Sequence, residues 1–154
     1  MISIDELTRQ RFYDLSKLIN DVDGQLGPEI IPTATDLEFE HGLFLYPSPL
    51  RTIGLWVSQD VWMYRYLELN IVDGTVYKIG EPHALAPVDH PLLAEQVARF
   101  LARAGRELIS SIADRIIVPR EAVADVFDQH LSSAARMAFS GRAWLTRNGY
   151  ASEW

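Results

Sequence analysis

Four histidines, His41, His83, His90 and His130, and a set of carboxylates are the side chains of this chain best suited to hold a metal ion; cysteine is absent, so no thiolate can serve as ligand or nucleophile. The histidines do not form His-Glu-x-x-His, the spacing that puts two ligands on one helix face. His83, Asp89 and His90 crowd one loop, where Asp89 and His90 are expected to shape the start of a helix. His130 falls on a helical stripe with Val126 and Phe127, which marks it as a packed side chain. Asp21-Val-Asp23-Gly24 resembles the opening of a calcium loop, but its glycine comes too early and the distant acidic ligand is missing. No metal and no cofactor is expected.

Other catalytic patterns also fail. No Gly-x-Ser-x-Gly elbow is present, and Ser110-Ser111 lies in the middle of a helical pattern. Lys17 and Lys78 are the only lysines, and neither follows a phosphate-cradling loop; Gly24-Gln-Leu-Gly27 reads as a turn. Arg99, Arg103 and Arg106 line one side of a helix, yet Glu95 and Glu107 stand four residues from Arg99 and Arg103, the spacing of surface ion pairs. Glu38 and Glu40 share one side of a strand, where charge protects a sheet edge from pairing. The expectation is a protein more often binding than catalysing.

Aromatic residues supply the strongest signal. From Ile53 to Ile79 apolar and aromatic side chains are so dense that both faces of a sheet must carry them. Trp62, Tyr64 and Tyr66 alternate with Val61, Met63 and Leu67. An Asp73-Gly74 hairpin turn would pair Asn70 with Tyr77 and bring Tyr77 and Ile79 to the Trp62 face. An odd loop, Ser58-Gln59-Asp60, would add Trp56 to that face and gather Ile53, Leu55, Val57, Val61, Met63, Leu67, Leu69 and Ile71 into an aliphatic core face; an even loop would instead join Ile53, Leu55 and Val57 to Trp62 and Tyr64. The odd loop is favoured because it sorts the side chains by kind. The aromatic face is then covered by the chain's own helix or tail, by another protein, or by a small apolar ligand.

The elements that position these residues follow from periodicity. Ser3-Ile4-Asp5-Glu6 is a capping box, and Phe12, Leu15, Ile19 and Val22 repeat at helical spacing until Asp23-Gly24. Residues 27–35 read as a loop. Strands follow within 37–46 and at about 52–58, 61–72 and 75–79, and 80–90 reads as a proline-bearing linker. A long helix from about 91 to 117 carries Leu93, Val97, Phe100, Leu101, Ala104 and Leu108. A second begins near Pro119 and carries Val126, Leu131, Ala134 and Ala138; Ser140-Gly141 is expected to break it and leave 139–154 as an extended arm. Strands in one run and helices in the next predict a single α+β domain over 1–154: an N-terminal helix, a four- to five-stranded antiparallel meander, and two helices packed on one sheet face.

At 154 residues and 48% hydrophobic, the chain can bury a substantial core. Nothing in it has transmembrane length, and its first residues lack the basic and apolar stretches of a signal peptide, so a cytoplasmic setting is expected. The net charge of −7 is uneven: Leu18 through Leu50 contains Asp21, Asp23, Glu29, Asp36, Glu38 and Glu40 and no lysine or arginine. Arg51, Arg65 and Lys78 are too few around the aromatic strands for nucleic acid. The function expected is a non-enzymatic protein-binding module, such as an inhibitor or immunity-like protein, a chaperone or an adaptor. Trp56, Trp62, Tyr64, Tyr66 and Tyr77 would form its contact face, and Asp36, Glu38 and Glu40 an acidic rim for a basic partner. The rivals are a small-molecule binder or enzyme, with His41, Tyr64 or Glu68 in a cavity between sheet and long helix, and a homodimer that covers the aromatic face.

Overall fold

A computed structural model of the chain describes residues 5–24, 26, 28–32, 41–47, 51–69, 76–115 and 124–150. The order of elements is α1 (Glu6–Val22), β1 (Glu29–Pro32), β2 (His41–Leu45), β3 (Arg51–Ser58), β4 (Val61–Leu69), β5 (Val76–Pro87), α2 (Leu93–Arg115) and α3 (Ala124–Arg147). The strands form one antiparallel sheet in the order β1-β2-β3-β4-β5, a meander in which each strand pairs with its sequence neighbour. The helices pack on one face of it, which is the expected α+β architecture. Among the described residues, no helix is long and apolar enough to cross a membrane.

Local chemistry explains most boundaries. Asp5, not Ser3, caps α1: its carboxylate accepts from the Thr8 amide at 2.8 Å and from the Thr8 hydroxyl at 3.0 Å. That amide bond is the chief reason the Asp5 carboxyl is held below its usual pKa. Phe12, Leu15, Ile19 and Val22 form the buried stripe of α1, as their spacing predicts. Ser3 and the Asp73-Gly74 turn lie outside the described residues.

Three elements differ from the sequence reading. Residues 29–32, read as part of a loop, form edge strand β1, whose terminal Pro32 sits where a missing amide is tolerated. The proline-bearing stretch 80–87 is not a linker but the second half of β5, with breaks in register opposite Trp62/Met63 and Tyr64/Tyr66. Gly80, at φ +70, and Pro82 fall inside the second irregularity, on an edge strand where bulges and prolines are accommodated. Arg65 donates to the Gly80 carbonyl there at 2.6 Å.

The third difference is at the C-terminus. Gly141 does not break α3, and residues 139–147 are helix rather than an extended arm. The helix ends at Arg147 and is closed by Gly149, φ +82, where the Tyr150 amide donates to the Leu145 carbonyl at 2.9 Å and the Gly149 amide to the Thr146 carbonyl at 3.2 Å. Gly141 instead serves the contact with α2. A Cβ built on it would lie 2.5 Å from the Ala98 carbonyl oxygen, and one built on Gly105 would lie 2.6 Å from that of Ala134. The two helices therefore meet backbone to backbone through Ala98, Ala102 and Gly105 on one side and Ala134, Ala138 and Gly141 on the other.

Candidate functional site

The β3–β4 hairpin decides where every ring points. Its turn holds two residues, Gln59 and Asp60, with φ of 53° and 61°, the left-handed pair that a type I′ turn requires. Ser58 therefore faces Val61, Leu55 faces Tyr64, and Ile53 faces Tyr66. This is the even register, and it corrects the odd one favoured from the sequence. The turn is held from outside itself. Arg11 of α1 binds the Asp60 carboxylate at 3.1 Å, and the Val88 amide donates to the Asp60 carbonyl at 2.9 Å.

One face of the sheet consequently carries Ile53, Leu55 and Val57 together with Trp62, Tyr64 and Tyr66, and the helices cover it. Trp62, 1% exposed, packs on Phe12 of α1 with ring centroids 5.6 Å apart. Tyr64, 2% exposed, meets Phe100 of α2 at 4.7 Å and Tyr66 edge-on at 5.9 Å. These rings are hydrophobic core. The expectation of an aromatic face open to a partner does not hold for Trp62, Tyr64 and Tyr66, because the chain's own helices occupy the space a partner would need. Trp56 lies on the opposite face, not with Trp62, and is buried as well, as are Phe44 and Leu67. Both faces of the sheet thus bury apolar side chains. Tyr77 is half-buried and pairs with Glu68 rather than Asn70; the two-residue slip preserves its face. Asp36, Glu38 and Glu40 lie outside the described residues.

Polar groups enter the same interior in two places. The Tyr66 hydroxyl donates to Glu107 of α2 at 2.6 Å. Burial, and then the neighbouring Glu107 carboxylate, push its pKa far above the ordinary tyrosine value. Burial raises that of Tyr64 as well. Exposed Arg103 opposes both shifts, and exposed His83 lies against the Tyr64 ring at 5.3 Å.

Farther along the strands, Arg51 and Glu68 face each other across β3 and β4 and form an ion pair at 3.0 Å, with side chains 1% and 0% exposed. His130 of α3 is 0% exposed and is electrostatically coupled to Arg51. Burial first, and the Arg51 charge second, pull its pKa from 6.5 down to about 4; a hydrogen bond to the Leu108 backbone opposes them. The sign of the linkage is fixed by this depression. The unfolded chain binds the proton below pH 6.5 while the folded one resists it to about pH 4. The neutral imidazole's contribution is full above pH 6.5 and is lost as pH falls towards 4, a total of about 3 kcal/mol. Urea unfolding at pH 7 and pH 4.5 should therefore show a smaller acid-induced loss of stability in His130→Gln than in the unmodified protein. Equal losses would mean that His130 does not titrate in this window.

Arg51 and Glu68 were not paired in the sequence reading, although the even hairpin places them opposite each other. His130 is packed, as its position on the stripe implied. The remaining histidines do not converge with it. His41 is half-buried on β2, while the His90 Nδ1 accepts from the Leu92 amide at 2.9 Å and so helps to open α2. Among the described residues, no group of three histidine or acidic side chains could hold a metal ion. On α2, Arg99 binds Glu95 at 2.9 Å, the i,i+4 pairing expected. Its guanidinium lies 6.0 Å from the centroid of the Tyr150 ring, which stacks on Trp144. Asp23 turns inward to Arg136 of α3 at 3.5 Å, whereas Asp21 stays exposed.

The interior titratable groups thus pair mainly with one another. Such an arrangement ties the sheet to α2 and α3 and holds charge away from solvent. Arg103, Glu107 and His83 are the members of it that reach the surface. No family model, curated protein or solved structure matches this chain.

Proposed function

We propose that the protein is a non-enzymatic binding module of the inhibitor, immunity-like, chaperone or adaptor kind, working in the cytoplasm and presenting acidic side chains to a basic protein surface. The observation that carries this reading is the charge of Leu18–Leu50: six carboxylates and not one lysine or arginine. Local charge of one sign raises the encounter rate with a partner of the other sign. Asp23 is spent internally on Arg136, which leaves Asp21, Glu29, Asp36, Glu38 and Glu40 as the other acidic residues of the segment, with Asp36, Glu38 and Glu40 as the proposed contact rim. Trp62, Tyr64 and Tyr66 do not touch the partner in this reading, since a ring 1–8% exposed offers almost no area.

The test uses the whole chain as bait in its native cells. A discrete partner should be recovered at low ionic strength and released by high salt, because exposed charges are screened beyond about 10 Å at 0.1 M. The triple variant Asp36→Asn, Glu38→Gln, Glu40→Gln should recover at most a tenth as much. Full recovery by that variant, or binding indifferent to salt, would remove the acidic segment from the interface. No partner under any condition would reduce the charge to a means of solubility.

A further inference from the structure

Where β5 meets α2, three donor side chains stand together without an acceptor among the described residues. Tyr64 is 2% exposed, yet its hydroxyl has no hydrogen-bond partner there. A polar group so deeply placed is as a rule satisfied within the fold. Tyr66, on the same face, follows that rule: its hydroxyl donates to Glu107 at 2.6 Å. His83 faces Tyr64 across β4 and β5, with ring centroids 5.3 Å apart, and Arg103 is exposed on α2. Neither the imidazole nor the guanidinium has a hydrogen bond or ion pair among the described residues.

Local structure brings the three together. Phe100, Arg103 and Glu107 follow one line of α2, at steps of three and four residues. Phe100 meets the Tyr64 ring at 4.7 Å and Glu107 holds the Tyr66 hydroxyl, so Arg103 comes level with the space between the two tyrosines. Its charge acts on both. Glu107 stands at ion-pair spacing from Arg103, but it accepts from Tyr66 and forms no ion pair with the guanidinium. On the sheet side, Gly80, Glu81 and Pro82 of β5 bulge opposite Arg65, between the residues that pair with Tyr64 and Tyr66. A bulge re-aims the side chains beside it, and His83 is the next residue.

We propose that Tyr64, His83 and Arg103 form a binding site for the carboxylate group of a small organic acid. The planar guanidinium fork matches the two oxygens of a carboxylate. The Tyr64 hydroxyl and an N–H of the His83 ring supply the further donors. Burial raises the Tyr64 pKa and so keeps its phenol protonated, the form that donates. Glu107 sets the charge of the ligand. With one carboxylate already beside the single arginine, a singly charged group is held more easily than a phosphate dianion, which meets twice the repulsion. The site shares no residue with the acidic segment 18–50, so either reading can fail alone.

Titration of the full chain with propionate, followed by NMR at constant ionic strength, tests it. The Arg103 Nε–H and His83 ring signals should shift and saturate in the millimolar range. Arg103→Gln should weaken binding roughly tenfold and Tyr64→Phe about threefold, the worth of a charged and a neutral hydrogen bond. Glu107→Gln, which keeps an acceptor for Tyr66, should tighten propionate binding and admit inorganic phosphate, which the unmodified protein binds more weakly than propionate. Tyr64→Phe should leave the urea midpoint unchanged or raise it, because the hydroxyl gives up no partner within the fold. Shifts that never saturate would overturn the site, and so would saturable binding that Arg103→Gln leaves intact. A lowered midpoint for Tyr64→Phe with propionate binding unchanged would return that hydroxyl to the fold. Phosphate bound more tightly than propionate by the unmodified protein would overturn the assignment to a carboxylate.

Discussion

Gly141→Ala and Gly105→Ala should each destabilise the protein by about 3 kcal/mol, and no expected result is less intuitive from the sequence. In a solvated helix the same change is favourable by about 1 kcal/mol, because alanine loses less backbone entropy than glycine. Here the new Cβ would meet backbone. At Gly141 it falls 2.5 Å from the Ala98 oxygen and 2.6 Å from the Ala102 nitrogen; at Gly105 it falls 2.6 Å from the Ala134 oxygen and 2.6 Å from the Ala138 nitrogen. Backbone cannot rotate aside as a side chain can, so α2 and α3 would have to move apart. Overpacking of this kind costs about 1–3 kcal/mol or more, and separating the helices also loosens their fit on the sheet. Urea midpoints of the two variants measure the effect. A midpoint raised by either one would show that α2 and α3 do not approach this closely.

Breaking the Arg51–Glu68 pair should be at least as damaging. Both side chains are essentially without solvent contact, and their charges lie 3.0 Å apart. Glu68→Gln removes the carboxylate that Arg51 meets at 3.0 Å while the Arg51 cation stays buried. Loss of one member of such a pair costs about 3–5 kcal/mol, against a typical total stability of about 5–15 kcal/mol. Glu68→Gln is therefore expected to lower the urea midpoint steeply. Removing both charges with Arg51→Met and Glu68→Leu should recover most of the loss, since an apolar pair needs no desolvation of ions. A double variant as unstable as the single one would show that the shape of the pair matters more than its charge. Glu68→Gln also changes the surroundings of His130, on which the Arg51 charge acts.

The general plan of the fold was legible because it depends on local periodicity. The stripe of Phe12, Leu15, Ile19 and Val22 sits inside α1, and Val97, Phe100, Leu101, Ala104 and Leu108 sit inside α2. A helix that buries one side must repeat near 3.6, whatever it packs against. The β3–β4 hairpin was harder. Alternation places Trp62, Tyr64 and Tyr66 on one face, but says nothing about which residues of the preceding strand join them. That depends on a turn of Gln59 and Asp60, which carries neither the asparagine nor the glycine that usually announces positive φ. Arg11 and Val88, distant in sequence, help to hold it.

The same limit applies to the aromatic residues and to the prolines of β5. Sorting side chains into an aliphatic and an aromatic face assumed that like packs with like. Burial does not discriminate so: about 25 cal/mol per Å² is gained for apolar area of either kind, and Trp62 packs as well on Phe12 as an aliphatic side chain would. Pro82 and Pro87 argue against a central strand, but β5 is an edge, where a missing amide need leave no ladder bond unmade.

Order along the chain thus settles which segments can be helix or strand, since each period is a property of a dozen neighbouring residues. It also settles that both sides of the sheet are greasy, that 18–50 is acidic throughout, and that His130 is a core position. The fold alone assigns partners to those faces. It puts the tryptophan and tyrosines beneath α1 and α2, brings Glu68 to Arg51, and turns Gly141 from an apparent helix breaker into a point of contact. Each of these outcomes is a distance between residues far apart in the chain, and no local pattern encodes such a distance.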